Sequence, residues 1–136
     1  NLFAFGNTFT LIVDQIPNSD ITFQITIKDF ILIQKHLLDI TPFEYSEQYL
    51  AADINNDQMI PISDLVILRK AILGQITEFP NQDNWLYIEN DCAFSEPDNP
   101  SLYECDYGYS NPISTTNYTP FLEFTAIKVG DVSGDL

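Results

Sequence analysis

The sequence predicts an α+β fold: two loop-helix units in tandem, packed with a small antiparallel β-sheet from the N-terminal and C-terminal segments. Three observations predict it. Two apolar helical stretches recur at a fixed offset, and each follows a loop rich in side-chain oxygens. The flanking segments, 1–16 and 80–136, are β-branched or aromatic and broken by Pro, Asn and Gly. At 136 residues the chain is expected to form one module, with residues 18–75 as its repeat.

The elements follow in order. "TFTLIVDQI" (8–16), bounded by Gly6-Asn7 and Pro17-Asn18, reads as a strand. "ITIKDFILIQKHLLDI" (25–40) places Ile27, Phe30, Ile31, Leu37 and Leu38 at helical spacing, and Pro42 stops it. "EYSEQYLAA" (44–52) reads as a helical turn, and "ISDLVILRKAILG" (62–74) as a second helix ended by Gly74. "NWLYIE" (84–89) and "FLEFTAIKVGDV" (121–132) are the convincing strands of the remainder. Sliding the chain by thirty-five places lays Ile25, Ile27, Asp29, Lys35 and Leu38 on Ile60, Ile62, Asp64, Lys70 and Leu73. Phe30, Ile31, Leu32 and Leu37 fall on Leu65, Val66, Ile67 and Ile72. The helices are two copies of one unit.

The loop before the second helix, "DINNDQMIPISD", has Asp53, Asn55 and Asp57 at alternate positions and Asp64 in twelfth place. Calcium takes about six to eight oxygens at roughly 2.3–2.6 Å, and a tight loop offers them from alternate positions. Met59, in seventh place, would contribute its backbone carbonyl, and Ile60 would anchor the loop to the core. The bland alternative is an acidic turn that caps the helix through Asp64. Counting back from Asp29 gives a weaker set in the first copy: Asn18, Asp20, Thr22 and the Gln24 carbonyl. Fewer charges imply lower affinity, and a loop held only by hydrogen bonds is the alternative there. "GDVSGDL" at 130–136 places Asp131, Ser133 and Asp135 at the same alternation. It reads either as a half-loop cut within a longer protein or as one that folds back to supplement the first site.

The second loop has Asp where an EF-hand has a twelfth-position Glu, and Gln58 where it has Gly. With a helix leaving the loop and none entering, this resembles the dockerin repeat over residues 18–75. The order "DFILIQKHLL", "AADINND", "DLVILRKAILG", "FPNQDNWLYI" and "AIKVGDVSG" is similar to dockerin-like modules of large bacterial surface proteins. The resemblance implies a calcium-binding, non-catalytic, extracellular module of a multidomain or polymeric protein. Dockerins that grip cohesins carry small hydroxyl residues at loop positions ten and eleven. Here those positions hold Ile27 and Lys28, then Ile62 and Ser63. A bulky aliphatic there would go to the core or to a different partner.

Composition narrows the classes further. Twenty acidic residues against five basic give a net charge of −15, which phosphate backbones and anionic membranes repel. No apolar run is long enough for a membrane span. Cys92 and Cys105 lack zinc or redox spacing, so a disulfide in an oxidising compartment is the better reading, with two buried thiols as the alternative. His36, the one histidine, sits mid-helix and reads as a surface or partly packed residue; no nucleophile, zinc or phosphate-loop motif accompanies it. Trp85, Tyr87, Phe94, Tyr103, Tyr107, Tyr109, Tyr118 and Phe121 gather in the β half, as a small core or as a sugar-stacking face. "NYT" at Asn117 has the spacing of a glycan acceptor.

The expected function is structural: a calcium-stabilised, disulfide-stapled repeat of a secreted bacterial surface adhesin or filament, not an enzyme. Its partners would be other copies or adjacent domains, joined through the apolar N-terminal strand. A dockerin-type anchor for a cohesin-like receptor and a carbohydrate-binding module are the alternatives. Exposed apolar residues on the helices would favour the anchor.

Overall fold

The computed structural model describes residues 20–89, 93–94, 103–104 and 124–134. The class is α+β. Among the described residues three helices, α1 (Ile27–Leu37), α2 (Ser46–Ala52) and α3 (Ile62–Ile72), precede four strands, β1 (Trp85–Glu89), β2 (Ala93–Phe94), β3 (Tyr103–Glu104) and β4 (Phe124–Lys128). β1 and β4 pair antiparallel, Trp85 opposite Lys128 and Glu89 opposite Phe124. β2 and β3 form a second, two-residue ladder, Ala93 opposite Glu104, that periodicity did not single out. The expected strand at 8–16, both cysteines, Asn117 and Asn18 lie outside the described residues. Among the described residues no helix is long and apolar enough to cross a membrane.

α1 and α3 use the same face inward. Ile33 and Leu68, matched by the thirty-five-residue offset, are both fully buried. Phe30 and Leu37 pack partly against the core, as do Ile72 and, from the loop, Ile60. The helical stripe expected for α1 therefore divides. Phe30, Ile33 and Leu37 follow i, i+3, i+7 and face the core, whereas Ile27, Ile31 and Leu38 lie on another face and are exposed. Both faces are apolar, so hydrophobic spacing alone does not separate them.

Both helices also end alike. Asp39 N–H donates to the His36 carbonyl and Ile40 N–H to that of Lys35; Gly74 and Gln75 repeat the pair with Ala71 and Lys70. Gly74 sits at φ 67° as the C′ reading requires, and Asp39 takes φ 55° at the matching place. The C-terminal strand stops earlier than its apolar run, at Lys128, because Val129 and Gly130 turn inward. Val129 is fully buried, Ile127 and Val132 nearly so, and Gly130 N–H donates to the Ala51 carbonyl at 2.8 Å. The turn after β4 is thus threaded between the helices.

His36 is partly packed. Its ring stacks on Phe43 at 4.0 Å, and its Nδ1 accepts the Phe43 backbone N–H at 3.1 Å. Burial pushes its pKa below the usual 6.5, against the opposing pull of Asp39. The unfolded chain then binds the proton more readily, so this contribution is full above about 6.5 and is lost as pH falls through the folded value. Denaturant melts at pH 7.5 and pH 5 should show wild type losing stability that a His36→Phe variant does not lose. The variant should start about 1 kcal/mol lower, having lost the Phe43 bond. Equal pH slopes in the two proteins would refute the assignment.

Candidate metal centre

The second loop is built on its own amides. Asp57 N–H and Gln58 N–H donate to the two Asp53 oxygens at 3.1 and 2.9 Å. Met59 N–H donates to Asp57 Oδ1, and Asn55 spans to Asp57 through its side-chain amide at 2.8 Å. Asn56 and Gln58 take φ 57° and 68°, left-handed positions that curl the chain around its side-chain oxygens. Gln58 thus adopts the backbone that an EF-hand gives to its glycine at that place. The Met59 side chain points to solvent.

Asp64 closes the frame from below. It does not cap α3, whose N-cap residue, Pro61, makes no side-chain cap bond. Instead Oδ1 reaches across the loop to accept Ile54 and Asn55 N–H at 2.9 and 3.1 Å. Its other oxygen is buried with no hydrogen-bond partner, and the residue has no exposed surface. Burial, with the Asp53 and Asp57 charges behind it, pushes the Asp64 carboxyl up to about 6. Burial also raises Asp53. An orphaned carboxylate oxygen among like charges fits a hard divalent cation, as does the all-oxygen donor set. Among the described residues, however, no three acidic, His or Cys side chains converge as ligands. The carboxylates here are turned toward amide donors, and two of the expected five oxygens belong to Asn55 and a carbonyl.

The first loop is made differently. Asp20 Oδ1 accepts both the amide and the hydroxyl of Thr22, which hold its pKa below the ordinary value. Consecutive turns follow, Phe23 N–H to Asp20 and Ile25 N–H to Thr22, with φ 65° at Gln24. Asp29, the counterpart of Asp64, completes a capping box on α1: its Oδ2 accepts Thr26 N–H at 2.8 Å. Its Oδ1 accepts Ser133 N–H at 3.0 Å. The half-loop at 131–134 therefore does lie against the first loop, and Asp131 is raised by burial and then by the Asp29 charge. Asp135 is outside the described residues.

Lys128 is the residue that sequence reasoning missed. It is only 4 % exposed, and its ammonium donates to the Ile21 carbonyl at 2.9 Å and the Val129 carbonyl at 3.0 Å. Burial pushes it down to about 8, while Asp131 and Asp20 oppose the fall. The available signal was slight: it is the one basic residue not on a helix repeat. Beside it an open groove of about 480 Å³ is lined by Gln24, Tyr45, Gln48, Trp85 and residues 125–128. No family model, curated protein or solved structure matches the chain.

Proposed function

We propose that the chain is a calcium-stabilised, non-catalytic, dockerin-like module of an extracellular bacterial surface protein, and that it docks on a separate receptor through the outward faces of α1 and α3. One observation carries this reading. Those faces are apolar and basic on a chain that is otherwise strongly acidic. Ile27, Ile31 and Leu38 are exposed on the first copy, and Ile62, Val66 and Leu73 at the matching positions of the second, with Ile27 at 63 % and Ile62 at 71 %. Lys28, Lys35, Arg69 and Lys70 are exposed on the same helices and make up four of the chain's five basic residues. The acids within α1 and α3, Asp29 and Asp64, are buried. Rows of exposed apolar side chains rimmed by charge suit protein contact, and the basic rim favours a receptor surface bearing carboxylates.

Calcium at Asp53, Asn55, Asp57, Met59 and Asp64 would hold the second loop; the orphaned Asp64 oxygen supports that assignment. The Cys92–Cys105 disulfide gains support from the ladder beside it, since Ala93, next to Cys92, pairs with Glu104, next to Cys105. End-to-end assembly with other copies, through residues 1–16, is the competing reading; its strand lies outside the described residues. A sugar ligand for the Trp85 groove is the third.

The test is a mass and shape measurement on natively isolated protein with calcium, repeated with chelator and with Ile31→Glu/Val66→Glu. A hetero-complex that the double variant cannot form supports docking through the helices. A homo-oligomer insensitive to the double variant, and lost on deleting residues 1–7, would replace it with assembly.

A further inference from the structure

We propose that Lys128 is the built-in cation of the first loop, so that the chain closes this loop without metal and takes a single calcium ion, at residues 53–64. The count rests on the calcium reading of the second loop; the role of Lys128 does not.

Three observations lead here. The first is the ammonium itself, buried between the Ile21 and Val129 carbonyls, with Asp20 and Asp131 as the charges that act on it. The Phe79 ring lies 5.3 Å from it. A buried ammonium persists only where acceptors and opposite charge replace its water. It joins the first loop to the turn after β4, as an ion would, but through a covalent tether. The second is the contrast between the twelfth-position aspartates. Both Asp29 oxygens have protein donors, from Thr26 and Ser133, whereas Asp64 Oδ2 has none. A metal in the first loop would have to share Asp29 oxygens that already accept from Thr26 and Ser133, whereas in the second loop Asp64 Oδ2 is unshared. The third is the backbone. The second loop is left-handed at its fourth and sixth positions, Asn56 and Gln58. In the first loop the described positive φ falls on Gln24, the seventh, after consecutive turns. From residue 20 onward its carbonyls are therefore not arranged as in the metal-loop candidate. A dication near Asp20 or Asp131 would also meet the fixed charge of Lys128.

The rival outcome is that Asp131, set beside Asp29, completes a second calcium site. Equilibrium dialysis of the full chain against calcium, followed by native mass spectrometry, separates the two. The expected count is one ion per chain, one for Asp20→Asn and none for Asp53→Ala. Two ions on the intact chain would overturn the proposal. A count of zero would instead remove the calcium reading and leave the second arm to decide. In that arm, thermal melts are run in chelator, where no divalent ion contributes. Lys128→Met should lower the midpoint by roughly 5–10 °C, because buried Asp131 loses its counter-charge and the Ile21 and Val129 carbonyls lose their donor. Should Lys128→Met not fold at all, Lys128→Arg, which keeps the charge, should fold and still bind one ion. A Lys128→Met midpoint in chelator equal to wild type would refute the role.

Discussion

Alanine at Gly130 should cost on the order of 3 kcal/mol and lower the melting temperature by roughly 10 °C. Two effects combine at this position. The backbone stands at φ 92°, where a side chain is strained. An added Cβ would also lie 2.6 Å from Ile25 Cδ1 and 3.2 Å from Leu68 Cδ1. Ile25 and Leu68 both belong to the buried core, so the side-chain tips that must move have packed neighbours behind them. Gly74 provides the control. It has φ 67° but nothing within 4 Å of an added Cβ, so Gly74→Ala should show the strain alone, about 1 kcal/mol. Equal losses for the two variants would mean that crowding between the helices contributes nothing.

Removing calcium should lower stability by about 2.7 kcal/mol relative to a hundredfold excess over the dissociation constant. Asp64→Asn is the sharper probe. It retains an oxygen for the Ile54 and Asn55 amides but removes a buried charge near Asp53 and Asp57. In chelator the variant should melt at or above the wild type, since the apo protein gains by losing that charge. With calcium it should gain almost nothing, so the order of the two proteins reverses. Asp53→Ala should likewise lose most of the calcium-dependent rise. A wild-type melt indifferent to chelator would remove the metal from the account, as would an Asp64→Asn variant that keeps the full rise.

What could be read from the chain was whatever acts over short range. The offset that pairs Asp29 with Asp64 and Leu38 with Leu73 needs only comparison of neighbours, and α1, α3 and the Gly74 terminus follow from it. The alternation of Asp53, Asn55 and Asp57 is equally local. Three features were illegible for a common reason. Asp29 stands in a ligand position by count, but its bond to Ser133, from the far end of the described chain, has no signal in the local pattern. Lys128 carries no motif, and its meaning comes from the Ile21 carbonyl, which sequence does not place beside it. Ile27 and Ile62 read equally as core or as contacts for a partner, because hydrophobicity has no direction; the fold turned them outward.

The bond from Lys128 to Ile21 joins groups separated by 107 positions, and that from Ser133 to Asp29 joins groups separated by 104. At about 5–20 residues per second, a ribosome needs roughly 5–20 s to cover that interval. Throughout it the first loop has been synthesised but cannot make either bond. The second loop waits far less: Asp64 lies ten positions from Ile54, and the Gln82 amide that reaches the Asp53 carbonyl follows by twenty-nine. The two copies, alike in sequence, therefore mature in reverse order of synthesis. Loop closure over the longer separation is the step that contact order predicts to be slow. Refolding should accordingly show the 53–82 amides protected from hydrogen exchange before those of residues 20–29.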